Sequence, residues 1–282
     1  MSILQTILEH KRGEIEAAKK EVPLTKLRSM ADRFSPRGFA KNLLAGVHPR
    51  IIAEIKRASP SKGVIRADLE PIYCATAYAE GGAGGLSILT DEKFFSGSLE
   101  FLRRVREALT GDSSVGLLRK DFIIDPYQVW QSREAGADAL LLIVAALEQK
   151  DLELLLETCL AAEIDVLLEV HTREELDRVF SLRTLDRFTS ESSSQLLLGI
   201  NNRDLNTFQV ALETTQVLAA QARKREPRLP IISESGILSA KDLQTLRAYH
   251  ADAFLIGEYL VRKGDPGENL SRLRSEYIEL IT

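Results

Sequence analysis

The sequence predicts a parallel α/β barrel of eight strands, a (β/α)8 TIM barrel with an N-terminal helical extension. Three observations carry that reading. Short apolar runs alternate with amphipathic helical stretches along most of the chain, and parallel neighbouring strands need a crossover of that kind. Polar residues gather where the apolar runs end, as in Ile51-Ile-Ala-Glu-Ile-Lys56, Arg119-Lys120-Asp121-Phe122, Leu168-Glu169-Val170-His171, Ile200-Asn201-Asn202-Arg203 and Ser233-Glu234-Ser235-Gly236. Strand ends that converge on one mouth are where barrels place their chemistry. With 282 residues, 44% hydrophobic and 28% charged, the chain can bury a large core, and barrels of this length commonly form one domain.

The expected units follow in order. A strand over 51–56 precedes a helix over 71–80, a strand over 85–90 a helix over 98–109, a strand over 116–120 a helix over 126–135, and a strand over 138–144 a helix over 150–162. The second half repeats the pattern with 165–170 and 173–181, 195–200 and 207–222, 230–234 and 240–248, then 253–257 and 268–280. Residues 1–48 precede the first strand. Ile3, Ile7, Leu8 and Ile15 recur at helical spacing among His10, Lys11, Arg12 and Lys19, which predicts an amphipathic helix that caps or flanks the barrel within a single domain of 1–282. The stretch Ser190-Glu-Ser-Ser-Ser-Gln195 reads as a flexible loop, placed at the mouth opposite the chemistry because helix-to-strand connections return there.

Charge and cysteine usage exclude several classes. Forty-one acidic against 37 basic residues give a net charge of −4, and no basic stretch is long enough to follow a nucleic-acid backbone. Cys74 and Cys159 fall in helical patterns without metal-ligand spacing; they read as small buried hydrophobes in a reducing cytosol. The amino terminus lacks the flank and core of a signal peptide, and no apolar run approaches the ~20 residues that cross a bilayer. The expectation is a cytoplasmic protein, a monomer or weak homo-oligomer, with no metal site and no membrane or nucleic-acid partner.

Period-two geometry adds chemistry. Glu54 and Lys56 share one face at the end of their strand, so an acid and an amine look the same way. An opposite charge within a few ångströms keeps such an amine ionised. His171 shares the face of Glu169 and reads as a packed or solvated strand-end residue, since no other histidine is placed to complete a metal site. Asn201 and Arg203 share a face after the sixth strand, and a planar guanidinium suits a carboxylate.

Ile51-Ile-Ala-Glu-Ile-Lys-Arg-Ala-Ser-Pro-Ser-Lys-Gly63, Leu86-Ser-Ile-Leu-Thr-Asp-Glu-Lys-Phe-Phe-Ser-Gly-Ser98, Leu118-Arg-Lys-Asp-Phe-Ile123, Leu168-Glu-Val-His171, Gly199-Ile-Asn-Asn-Arg-Asp-Leu205 and Ser233-Glu-Ser-Gly-Ile237 resemble, in order and across essentially the whole chain, the signatures of the indole-3-glycerol-phosphate synthase family. Six ordered segments on the expected strand ends are far more specific than any one of them. The resemblance implies a cofactor-free carbon–carbon lyase of tryptophan biosynthesis. It would convert 1-(2-carboxyphenylamino)-1-deoxyribulose 5-phosphate to indole-3-glycerol phosphate, releasing carbon dioxide and water.

The same resemblance implies the site. Lys120 would activate the carbonyl as an acid, Lys56 would position an anionic group and assist hydroxyl departure, and Glu54 would orient Lys56. Glu169 would act as general base, with Glu234 orienting a lysine. Asn201 and Arg203, helped by Ser59, would hold the departing carboxylate, and Phe95, Phe122, Leu141 and Leu205 would wall the aromatic ring. Ser235, Gly236 and Gly257 would bring backbone amides to the phosphate. Glu258 stands where some members carry serine or threonine, so it is expected to offer only its amide and turn its carboxylate away. Gly116 replaces a proline common before the catalytic strand, and the segment between Glu169 and Gly199 is long for the family; both departures bear on packing rather than chemistry. A Schiff-base aldolase, a sugar-phosphate isomerase or a non-enzymatic phosphate binder are the competing classes. Asn201, where an aldolase would need an amine, weakens the first.

Overall fold

The computed structural model describes residues 2–60, 62–109, 115–188, 193–205 and 207–282. Eight strands form the barrel: β1 (Ile51–Ile55), β2 (Gly85–Leu89), β3 (Gly116–Lys120), β4 (Ala139–Ile143), β5 (Asp165–Val170), β6 (Leu196–Asn201), β7 (Ile231–Glu234) and β8 (Ala253–Ile256). Each pairs in parallel with its sequence neighbours, and β1 closes the ring by pairing with both β2 and β8. The expected strand and helix units are thus present.

Alternation along each strand divides two cores. Ile52, Leu118, Leu167, Leu197, Ile232 and Leu255 point into the barrel and pack together, whereas Ile51, Leu117, Val166, Leu198 and Ile231 point outward under the helices. The inward set continues upward by steps of two into Glu54, Lys120, Glu169 and Glu234. A floor of apolar side chains therefore carries a polar layer at the carboxyl ends.

Among the described residues the extension contains three α-helices, α1 (Ile3–Glu21), α2 (Leu24–Met30) and α3 (Phe39–Ala45), with a 3-10 turn at Ala31–Arg33. α3 plugs the amino-terminal mouth: Phe39 and Leu43 are fully buried within the barrel-interior core, each such side chain contributing ~1.5–3 kcal/mol. Phe39 lies against Gly116, which explains why a small residue occupies that position. Carboxylates at the strand starts stitch the plug down, with Asp165 accepting from the Ala40 amide at 2.8 Å and Asp138 from the Arg37 amide at 2.8 Å. At the opposite end, the first turns of α1 lie at the carboxyl ends of the strands.

The helix expected over 207–222 begins later, at Glu213. Asn202 prevents an earlier start: its backbone carbonyl accepts from the Ala211 amide, its side chain accepts from the Thr215 amide, and Arg203 bridges Val210. The intervening segment folds over the mouth instead. Two one-turn helices, Glu92–Phe95 and Glu258–Val261, also lie at that mouth. Of the serine-rich stretch, residues 190–192 lie outside the described residues. Its end is placed at the amino-terminal side, where Asp165 accepts from the Gln195 amide at 2.6 Å.

Candidate active site at the carboxyl ends of the strands

One cavity of about 680 Å³ opens at the carboxyl ends of the strands. It is lined by Glu54, Lys56, Ser59, Phe95, Lys120, Phe122, Leu141, Glu169, Asn201, Arg203, Leu205, Glu234, Ser235, Gly236, Gly257 and Glu258. Every residue that the sequence suggested for chemistry or binding thus faces the same space. Strand parity aims Glu54, Lys120, Leu141, Glu169, Asn201 and Glu234, and the loops that follow the strands bring the others to the same mouth.

Lys120 stands at the centre. Its Nζ is 3.2 Å from Glu169 Oε2 and 3.6 Å from Glu234 Oε2, so β3, β5 and β7 meet through one ammonium group. Lys56 makes a separate pair within β1 and its end, with Nζ 2.5 Å from Glu54 Oε1. Two inward glycines make room for these acids. A Cβ on Gly257 would meet Glu54 Oε1 at 2.4 Å, and one on Gly199 would meet Glu234 Oε1 at 2.3 Å. The missing side chain at Gly257 therefore accommodates an internal carboxylate, in addition to leaving the backbone open.

Burial sets the three acids and amines against one another. Burial opposes the charge on Lys120, but Glu169, Glu234 and Glu54 outweigh it and raise its pKa, holding the amine protonated. Burial likewise opposes ionisation of Glu169, yet Lys120 and His171 prevail and hold its carboxyl well below the usual range. Glu234 goes the other way: burial, then the charge of Glu169, push its pKa up despite Lys120. Two like carboxylates around one ammonium cannot both ionise cheaply, and Glu234 is the one pushed toward its protonated form.

His171 stands behind this group, outside the cavity lining. Its Nδ1 is 3.2 Å from Glu175 Oε2, and its Nε2 is 3.3 Å from Glu169 Oε1 at an angle that makes an ion pair rather than a directed hydrogen bond. Burial would lower its pKa, but the two glutamates overcome this and push it up to about 10. The imidazolium thereby helps keep Glu169 ionised. No group of three or more potential metal ligands occurs among the described residues.

The remaining walls divide by chemistry. Phe95 and Phe122 face each other with ring centroids 6.0 Å apart, and Leu141 and Leu205 extend this apolar side. Ser59 belongs to a two-residue hairpin pairing Ala58–Ser59 with Gly63–Val64. Asn201 Oδ1 accepts from the Arg203 amide at 3.0 Å, which fixes the turn that brings the guanidinium to the rim. After β7, Ser235 and Gly236 both adopt left-handed backbone, with φ of 65° and 81°. Glycine suits the second position, since a Cβ there would approach Val210 Cγ1 to 2.4 Å.

Glu258 departs from expectation. Its carboxylate remains at the cavity, paired with Arg262 and lying 3.9 Å from both Lys62 and Arg203. Three surrounding cations explain why it does not turn away. Lys62 and Arg262 also line the cavity and were not singled out from sequence, although Lys62 belongs to the Ser-Pro-Ser-Lys-Gly segment. Asn202 was passed over too. Its Nδ2 donates to Ser233 Oγ and to the carbonyls of Glu234 and Ser235 at 3.0–3.1 Å, bracing β6 against the β7 turn.

The largest omission is the role of α1. Ile3, Leu4 and Ile7 line the cavity, so the extension supplies part of the wall. Lys11 anchors it, with Nζ 2.9 Å from Asp91 Oδ2, 3.0 Å from Asp121 Oδ1 and 2.6 Å from Glu14 Oε2. Lys11 is 4% exposed, so it belongs to the buried side of α1 with Ile7, Leu8 and Ile15. Helical periodicity identified the buried stripe, but nothing local marked the lysine as belonging to it.

A barrel mouth that gathers paired amines and carboxylates from several strand ends defines a class, a (β/α)8-barrel enzyme. The family model for indole-3-glycerol phosphate synthase matches residues 4–273. A curated relative from Crocosphaera subtropica, named indole-3-glycerol phosphate synthase, is 42% identical over 280 residues, covering 97% of this chain and 90% of the relative. The chain belongs to the indole-3-glycerol phosphate synthase family, carboxy-lyases of tryptophan biosynthesis.

Solved structures extend the likeness to the fold alone. A 3-hexulose-6-phosphate synthase from Salmonella typhimurium is 11% identical with a TM-score of 0.57, covering 82% of this chain and 99% of its own. A thiamine phosphate pyrophosphorylase from Pyrococcus furiosus is 14% identical with a TM-score of 0.55, covering 83% and 98%.

Proposed function

We propose that the cavity closes the indole ring of 1-(2-carboxyphenylamino)-1-deoxyribulose 5-phosphate with Lys120 as the acid. The aryl carbon that bears the carboxylate attacks the ketone carbon, a carbon–carbon bond forms, and the Lys120 ammonium gives a proton to the carbonyl oxygen, which becomes a hydroxyl. Carbon dioxide then leaves with its bonding electrons retained by the ring system. Lys56 supplies the proton with which the hydroxyl departs as water, and Glu169 accepts the proton lost as aromaticity returns. The observation that carries this reading is the placement of Lys120 between Glu169 and Glu234, in one cavity with Lys56 and Arg203.

Charge supports the assignment. The upward shift of Glu234 weakens the negative field around Lys120, so the mouth retains attraction for a ligand bearing both carboxylate and phosphate. Arg203, Asn201 and Ser59 take the carboxylate, the Phe95 and Phe122 side takes the ring, and the amides around Ser235, Gly236, Gly257 and Glu258 take the phosphate. With Glu258 ringed by Lys62, Arg203 and Arg262, its repulsion of a phosphate is offset locally.

The decisive assay follows indole absorbance or fluorescence from the carboxyphenylamino sugar phosphate, without added metal or nucleotide. Lys120→Ala is expected to lose ~10²–10⁴-fold in kcat, the range for a positioned general acid. Near-wild-type turnover in that variant would remove the role. We further propose one barrel unit over residues 1–282 with 1–48 as its extension, acting in the cytoplasm as a monomer or weak homo-oligomer. Two buried free thiols support a reducing location. No helix among the described residues is long and apolar enough to cross a membrane.

A further inference from the structure

The opposite mouth of the barrel carries a second crevice, of about 640 Å³, where β1, β7 and β8 begin. Arg50, Arg223, Arg228 and Arg247 line it with a single carboxylate, Asp252. That carboxylate is already engaged: it pairs with Arg223, lies 3.9 Å from Arg247 and accepts from the Ile231 amide at 2.8 Å. At the catalytic mouth, by contrast, Lys56, Lys120 and Arg262 each have a paired glutamate. A chain with net charge −4 has thus concentrated uncompensated positive charge at one place.

The guanidiniums differ in freedom. Arg223 is framework, its terminal nitrogens held by the carbonyls of Pro227, Leu229 and His250 as well as by Asp252. Arg50 is fixed through Nε to the Gly46 carbonyl at 2.9 Å, and Arg247 through Nη1 to the Ala251 carbonyl at 3.1 Å, which leaves other N–H groups of each for a ligand. Arg228 is exposed and makes no side-chain hydrogen bond or ion pair among the described residues. Anchored stems with free donors are preorganised for an anion, because little rotamer freedom remains to be lost.

We propose that this crevice binds a small, multiply charged phosphorylated anion. Four guanidiniums exceed what one carboxylate group can neutralise, and their forks match phosphoryl oxygens. The apolar lining is only Leu44 and two prolines, with none of the aromatic or methionine anchors that seat a protein partner. The site is separate from the catalytic cavity, which shares none of these residues. Leu44 belongs to α3, so an occupant would brace the plug against the barrel.

The test uses inorganic pyrophosphate on the full chain, by isothermal titration and thermal melting at constant ionic strength. Wild type is expected to bind two equivalents, one at each mouth, and to gain ~2–4 °C over a sodium chloride control. Arg228→Ala/Arg247→Ala should bind one equivalent and lose most of that gain, measured against its own ligand-free Tm, with its turnover unchanged. Arg228→Glu alone, at an exposed position, should weaken the second equivalent at least ~10-fold. The proposal is overturned if the double variant keeps both equivalents, if chloride reproduces the shift, or if a hexaglutamate peptide binds the crevice more tightly than pyrophosphate.

Discussion

Lys11→Met keeps the aliphatic stem of the residue that clamps α1 to the barrel and removes its charge. In the native protein that charge faces Asp91 at 2.9 Å and Asp121 at 3.0 Å, with Lys11 only 4% exposed. The two acids would fare differently. Asp121 keeps Arg119 at 2.9 Å and Thr90 at 2.6 Å, whereas Asp91 Oδ2 is buried and has no hydrogen-bond donor of its own among the described residues. Breaking one partner out of a buried ion pair costs ~3–5 kcal/mol, and the support that Asp121 retains places the variant near the lower end, at ~3 kcal/mol. At ~2–4 °C per kcal/mol for a chain of this size, the expected fall in Tm is ~6–12 °C.

Protonation gives that clamp a pH signature. Burial opposes the charge on Lys11, but Asp121, Glu14 and Asp91 raise its pKa, so its contribution is complete below the unfolded lysine value near ~10.4. Asp121 is shifted downward, burial being outweighed by Arg119 and Lys11; its contribution is present above the unfolded value near ~3.9 and is lost as the pH falls. The difference between wild type and variant should therefore be full at neutral pH and shrink in acid. Circular-dichroism melts from pH 3 to 9, with steady-state kinetics, measure it. KM should rise as well, because Ile3, Leu4 and Ile7 of the same helix line the cavity. Adding Asp91→Asn should recover part of the lost stability. A Tm within ~1 °C of wild type together with an unchanged KM would refute the clamp.

Other outcomes follow from the same geometry. Glu234 has a raised folded pKa, so its stabilising state is complete below the unfolded glutamate value near ~4.3 and is lost as pH rises toward the folded value. Glu234→Gln should thus melt higher than wild type at pH 8, with the gap closing by pH 4; an equal gap at both would contradict the shift. Arg203→Ala should raise KM ~10-fold or more with a smaller change in kcat, and a loss confined to kcat would argue against a clamp on the substrate carboxylate. Gly236→Ala places a Cβ against Val210 at a φ of 81°. It should cost ~1–3 kcal/mol of stability and weaken affinity for inorganic phosphate, measured by melting and titration; an unperturbed variant would show that the turn tolerates a side chain.

Much of this molecule was legible in one dimension. The period-two steps from Ile52 to Glu54 and Lys56, from Leu118 to Lys120, and from Leu167 to Glu169 are local properties of extended backbone. Because alternation is strict, sequence alone determined which side chains share the inward face and which strand ends carry them. The start of the helix at Glu213 was not legible in the same way. It depends on Asn202 reaching Ala211 and Thr215 across the intervening turn, and no periodicity records such a bond.

What only the tertiary structure decided concerns pairs distant along the chain. Lys11 is an unremarkable helical lysine until barrel closure brings Asp91 and Asp121 beneath it. Glu169 and Glu234 are chemically identical acids, and only their unequal distances to Lys120 and His171, in a buried space, push their pKa values in opposite directions. Sequence fixes residue type and facing direction through local backbone geometry, while proton occupancy and the seating of α1 depend on fields and contacts that exist only after strands far apart in the chain have met.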